Sequence, residues 1–252
     1  MVNHNNFVNN PNVKTVEELG NFKVLEYQKD YTMNPMAAET LYFCSQMGVK
    51  RRQVAVDLKN SGVTVQSGAM QWVMGNVEST SGIKGAGDLF GKMVKGAVTG
   101  ESAVKPEYKG NGTLVLEPTY KYVLLEDVSK WNGGIVVDDG MFLACDNTVK
   151  QNVVRRSNIS SAIAGGEGLF NLCLMGEGIA VLESPCPREE LIEINLENDM
   201  VKIDGNYAVA WSNSLQFTVE RSSKSLIGSA VNGEGLVNVY RGTGKILMAP
   251  VR

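Results

Sequence analysis

Gly166-Glu167-Gly168-Leu169-Phe170-Asn171-Leu172 and Gly233-Glu234-Gly235-Leu236-Val237-Asn238-Val239 are two versions of one string, and that duplication decides the fold. Each is followed by a Gly-x-Gly, Gly176-Glu177-Gly178 or Gly242-Thr243-Gly244, and then runs through an apolar stretch into Pro185 or Pro250. A weaker third version stands earlier. Gly100-Glu101-Ser102-Ala103-Val104 leads to Gly110-Asn111-Gly112, and Leu114-Val115-Leu116 runs into Pro118. Ordered landmarks that recur three times mark an internal repeat rather than chance likeness of Gly-rich sequence.

Working upstream, Val54, Val56 and Leu58 alternate, as do Ile192, Ile194 and Leu196. Each triplet leads to a second alternating run, Val63-Thr64-Val65 or Val201-Lys202-Ile203, and then to Gly68 or Gly205. The middle copy reads Val123-Leu124-Leu125, Ile135-Val136-Val137, Gly140. A further apolar run follows each glycine: Ala69 to Val73, Met141 to Ala144, Asn206 to Trp211. Period-two alternation in short runs bounded by Gly, Asn and Asp is the pattern of half-buried antiparallel strands. Asp139-Gly140 and Asp204-Gly205 read as hairpin turns, because glycine tolerates the positive φ such turns need. The units span about 52–118, 120–185 and 189–250, a period of about 65 residues. The fold class is all-β: a single domain over 21–252, three degenerate β units, with one or two short helices.

Three segments break the pattern. Residues 1–20 are polar and Asn-rich and read as a flexible, loosely attached tail. Ala37 to Met47 reads as a short helix with Leu41, Cys44 and Met47 on one face. Residues 79–99 are an insertion in the first unit, where Leu89, Phe90, Met93, Val94 and Ala97 fall at helical spacing beside Lys84, Lys92 and Lys95. That insertion reads as a helix packed on the β core or on a neighbouring subunit. A surface for a membrane or a protein partner is its sharper reading.

Composition narrows the class. At 43% hydrophobic and 20% charged the chain is globular rather than disordered. Its net charge of −3 shows no basic footprint for nucleic acid. The basic clusters Lys50-Arg51-Arg52 and Arg155-Arg156 read as solvated strand ends or turns. The four cysteines include no CxxC pair, and Cys145 and Cys173 lie in apolar runs, so they read as core thiols in a reducing compartment. No stretch approaches the roughly 18 apolar residues of a membrane span, and the first residues resemble no signal peptide. The expected location is the cytoplasm.

Known chemistries find no complete residue set. The only histidine is His4, in the tail, so a His-based triad or multi-histidine metal site is excluded. The run Gly85 to Met93 resembles a phosphate loop but has Ala86 where the first glycine belongs and Met93 where Ser or Thr belongs. The same run fails the dinucleotide pattern and sits in no βαβ unit. Glu101, Glu167 and Glu234 recur at equivalent positions and would converge on a cation if the units surrounded an axis. The plainer reading is a strand-initiating Gly-Glu with the carboxylate in solvent or bonded to turn amides, duplicated with the rest of the unit. Trp72 and Trp211 read as core or interface anchors. No catalytic, cofactor or metal residue is assigned.

Gly68-Ala69-Met70, Thr99-Gly100-Glu101-Ser102, Leu114 to Pro118, Gly140-Met141-Phe142-Leu143-Ala144, Gly166-Glu167-Gly168-Leu169-Phe170 and Gly176-Glu177-Gly178 together resemble the altered-inheritance-of-mitochondria "twenty-four" family. The Gly-Glu-Gly-Leu and Gly-Thr-Gly strings of the last unit fit too. The resemblance covers about residues 52–250; it lies in the order of these strings rather than in any one of them. It implies β-sandwich or double-stranded β-helix units around a pseudo-threefold axis, similar in fold to the tryptophan RNA-binding attenuation protein, and it suggests self-association. It implies no catalytic activity. Lacking an Arg-rich transit peptide, the chain looks like a bacterial-type member of the family. The expected function is a non-enzymatic, homo-oligomeric binding or scaffold protein. The alternatives are a nucleic-acid-binding regulator, by fold analogy, and a small-ligand binder or unrecognised enzyme.

Overall fold

The computed structural model describes residues 4–81, 105–155, 170–221 and 236–251. Glu101, Glu167 and Glu234, the helical pattern of the 79–99 insertion, Arg156 and the Gly-Glu strings all lie outside them.

The chain opens on β1 (Val13–Leu19) and β2 (Phe22–Tyr27), a 3-10 turn at Pro35–Ala37 and one helix, α1 (Ala38–Gln46). The first unit supplies β3 (Arg52–Val65), β4 (Met70–Thr80) and β5 (Glu107–Leu116). The second supplies β6 (Tyr122–Asp127), β7 (Ile135–Val137), β8 (Phe142–Asp146), β9 (Lys150–Arg155), β10 (Phe170–Met175) and β11 (Ile179–Ser184). The third supplies β12 (Ile192–Asp204), β13 (Ala208–Ser212), β14 (Gln216–Arg221) and β15 (Leu236–Met248). The expected all-β class is what is seen.

One pairing plan serves all three units. The last strand lies in the middle: β5 between β3 and β4, and β15 between β12 and the pair β13 and β14. In the second unit the long strands are broken, so β11 lies between β6 and β8, and β10 between β7 and β9. A register shift falls at the same place each time, between Met70 and Trp72, opposite Val181 and Leu182, and between Ala208 and Ala210. The first unit sits in an eight-stranded sheet and the third in a seven-stranded one, while the second contributes to both. Among the described residues the units form a series rather than a closed ring, since β12 and β4 share no ladder.

The hairpin reading of Asp139-Gly140 and Asp204-Gly205 is corrected. Gly140 and Gly205 do adopt positive φ, 73° and 69°. The strands they join are not neighbours, however: β15 separates β12 from β13, and β7 and β8 belong to different sheets. The local signal gave the turn, and long-range pairing chose the partners. The loosely attached tail is corrected likewise. Val13–Leu19 forms a strand paired along β2, because Val13, Thr15 and Val16 favour extended backbone and Gly20, at φ 58°, turns the chain back.

The core lies in three main clusters, one in each sheet and one between them. Leu124, Phe142 and Leu182 of the eight-stranded sheet meet Ile135, Leu174 and Leu247 of the other in the shared cluster. Cys145 and Cys173 are fully buried, as read from the sequence. Burial pushes the Cys145 thiol up to about 12, with the charge of Asp146 adding to it, and burial pushes Cys173 up to about 11. Alkylation of the native protein at pH 8 is therefore expected to mark half-buried Cys44 first and to spare Cys145 and Cys173 until the chain unfolds. Peptide mass spectrometry of a timed iodoacetamide reaction checks the order.

Candidate functional site

Glu26 and Asp30, from β2 and the segment after it, meet the Lys50-Arg51-Arg52 run at the start of β3. Antiparallel pairing sets Glu26 opposite Arg52. Arg52 Nη2 lies 2.9 Å from Glu26 Oε2, and Lys50 Nζ lies 3.0 Å from Glu26 Oε1. Arg52 also donates to the Gly48 carbonyl, and its guanidinium sits over the Tyr122 ring, 3.9 Å from the centroid. Arg51 Nη2 lies 2.7 Å from Asp30 Oδ2 and donates to the Tyr120 hydroxyl, which in turn donates to Asp30. Hydrogen bonds from Thr32, outweighing partial burial, hold the Asp30 carboxyl below its usual range. Arg52 is only 5% exposed. These three cations are thus not the solvated strand end expected from sequence. Two carboxylates more than 20 residues upstream pair with all three, Glu26 being shared by Lys50 and Arg52, and no local pattern announces those partners.

Against this ion-paired group leans α1, and between them runs a cleft of about 540 Å3 lined by Tyr27, Tyr31, Leu41, Tyr42, Arg51 and Tyr120. Leu41 and Cys44 are half-buried, as the helical spacing suggests, but Met47 is not on the covered face. It is 81% exposed, Met36 is 92% exposed, and Tyr42 and Phe43 are each 60% exposed. The helix thus buries one narrow stripe and leaves large apolar side chains in water. Tyr42 and Phe43 pack edge to face on each other, 5.5 Å between ring centroids, which keeps them together on that surface.

The other residues singled out in the sequence are dispersed. Trp211 is buried with Phe217 and Tyr240 in the third unit. Trp72 is half-buried on β4 against Phe7 and His4. Trp131 is buried, and its indole donates to Glu126 at 3.1 Å. Among the described residues no group of three or more His, Cys, Asp or Glu is placed to hold a metal ion, and no helix is long and apolar enough to cross a membrane.

These features define a class: an all-β repeat protein with an apolar helical surface appended to its first unit. The chain belongs to the family described as "Mitochondrial biogenesis AIM24", whose model matches residues 46–251. The match begins after β1, β2 and all of α1 but its last residue. An uncharacterised protein of Streptococcus pyogenes is 32% identical over 203 residues, covering 77% of this chain and 79% of that one. A crystal structure of a protein from Streptococcus pyogenes superposes with a TM-score of 0.58 at 27% identity, covering 81% of this chain and 89% of that one.

Proposed function

We propose that the chain is a non-enzymatic binding scaffold, cytoplasmic and self-associating, that presents α1 to a protein partner. The observation that carries this reading is the exposed apolar set Met36, Tyr42, Phe43 and Met47 beside charges already paired with one another. Clustered large apolar side chains in water mark interaction surfaces, and methionines adapt to the shape of what they meet. The paired state of Lys50, Arg51 and Arg52 argues against a phosphate-binding role for that cluster, which weakens the nucleic-acid alternative.

The test is light-scattering chromatography of the full chain and of a Met36→Ser/Phe43→Ser/Met47→Ser variant, in low and high salt, with apolar-dye binding and thermal melts alongside. The expected mass is a multiple of 27.3 kDa without bound nucleic acid. The variant should keep its mass and melting temperature and lose most of the dye signal. A monomer, or a complex carrying RNA that salt strips away, overturns the scaffold reading. A variant that melts several degrees lower with unchanged dye binding shows the helix face to be packed on its own chain, and the partner surface is then lost.

The cleft favours a second reading, a small apolar ligand held between α1 and the tyrosines. A ligand-dependent rise in melting temperature across a metabolite panel, abolished by Leu41→Trp, would replace the protein-partner reading with this one.

A further inference from the structure

Among the described residues the three units are joined in series by one kind of ladder, which is made twice and left open once. Between the first and second units, Val63, Thr64 and Val65 of β3 stand opposite Asp146, Cys145 and Ala144 of β8. The Gln66 amide extends this ladder by donating to the Leu143 carbonyl at 2.8 Å, and the Asn147 amide by donating to the Gly62 carbonyl at 3.0 Å. Between the second and third units, Ile135, Val136 and Val137 of β7 stand opposite Ser212, Trp211 and Ala210 of β13. Here the Asp138 amide donates to the Val209 carbonyl at 3.1 Å and the Asn213 amide to the Gly134 carbonyl at 3.0 Å. The two junctions agree position by position, including the bonds that flank them.

The repeat tells which residues would make a third. On the β12 side, Val201, Lys202 and Ile203 are the equivalents of Val63, Thr64 and Val65. On the β4 side, Trp72, Val73 and Met74 are the equivalents of Ala144, Cys145 and Asp146. The strand pairing fixes this second match, since Trp72, Ala144 and Ala210 each stand opposite the third residue past the Gly-x-Gly, namely Val115, Val181 and Leu247. Among the described residues these two strands are not paired with each other, and no strand pairs with the outer edge of either. Val73 is 39% exposed, whereas its paired counterparts Cys145 and Trp211 are 0% and 4% exposed. Met200, beside the open β12 segment, is 50% exposed.

We propose that β12 of one copy pairs antiparallel with β4 of a second copy, repeating the internal junction between chains. The register sets Val201 opposite Met74, Lys202 opposite Val73 and Ile203 opposite Trp72. The Asp204 amide then donates to the Gln71 carbonyl, and the Gly75 amide to the Met200 carbonyl. The occupant is a second copy because each open edge is the missing half of a junction that this chain forms twice with itself. An unpaired strand edge is a template for such pairing. The contact is head to tail, so the assembly closes into a ring or grows as a filament. This inference rests on the self-association proposed above and names the surface that makes it.

Two variants, Met74→Cys and Val201→Cys, test the register. Antiparallel alternation makes this a non-hydrogen-bonded pair, with Cα atoms about 4.5 Å apart, inside disulfide reach. Mild oxidation of the mixed variants should give a covalent dimer whose cross-linked peptide joins the two new cysteines, while either variant alone should not. A third variant, Val73→Pro, removes the amide that faces the partner in this register. It should lower the solution mass to 27.3 kDa with the melting temperature held within a few degrees. Should that variant fail to fold, the mixed cross-link still decides. An oligomer that yields no mixed link, or that links Met74→Cys to itself, overturns this interface and leaves the scaffold reading standing. A monomeric wild-type chain sinks both.

Discussion

Replacing Gly112 by valine is expected to cost more than about 4 kcal/mol and to leave little folded protein at 37 °C. Gly112 is the second glycine of the first Gly-x-Gly, where β5 pairs with Gly75 of β4 at close range. A Cβ built there would run into the Met74 carbonyl and its carbon, both backbone atoms, and would press on Val77. Backbone cannot swing aside as a long side chain can, so the two strands must separate, and with them the ladder that pairs Met70–Thr80 with β5. The first glycine of each motif carries a conformational demand, and at Gly110 a Cβ would also run into the Asn76 carbonyl. Gly110, Gly176 and Gly242 sit at φ 143°, 103° and 117°, a region that disfavours a Cβ. The control is Gly68→Ala. It also has a positive φ, 79°, but open space around it. It should cost only about 1 to 2 kcal/mol, the conformational term alone. Thermal melts of the two variants separate the terms: equal losses would mean that close approach at Gly112 is not what the motif protects.

The same motif shows how far the sequence could be read. The repeat, the strand-forming runs and the core thiols were legible because each is a local signal. They follow from alternation, a turn glycine or an apolar window. Gly-x-Gly was visible as a landmark but not as a point of close approach. In β5 and β15 it lies inside one continuous strand rather than separating two, and only the partner strand reveals the close approach. Middle residues of the motif also serve. Asn111 and Thr243 accept from the amides of Asn60 and Asn198, each held at φ 52° at the bulge in the first strand of its unit. Pairing order was out of reach, since the central strand of every unit is the last to arrive in sequence. So were the ion pairs of Glu26 and Asp30, which depend on how β2 lies along β3. The exposed face of α1 was hidden for a further reason: an apolar helix pattern does not say which of its faces will find a cover.

Arg52→Met should lower stability by about 3 kcal/mol at pH 7, the range for breaking a buried ion pair, or about 6 to 12 °C in melting temperature. The methionine keeps the stem that packs over Tyr122 but loses the charge and the bonds to Glu26 and to the Gly48 carbonyl. Lys50 stays with Glu26, so the carboxylate is not wholly abandoned. The pH dependence distinguishes this account from a loss of packing. Burial pushes the Glu26 carboxyl up, but the hydrogen bond from Lys50 and the charges of Arg52 and Lys50 together hold it below its ordinary 4.5. A depressed folded-state value stabilises the fold above the unfolded value and is lost as pH falls through the folded one. The wild-type chain should therefore lose stability as acid is added below about pH 4.5. In the variant Glu26 has less depression to lose, so the gap between the two chains should narrow from pH 7 to pH 3. Urea titrations across that range supply the measurement. A gap that stays constant with pH would assign the loss to packing around Tyr122 and the Gly48 carbonyl, and would remove Glu26 from the account of what holds β2 to β3.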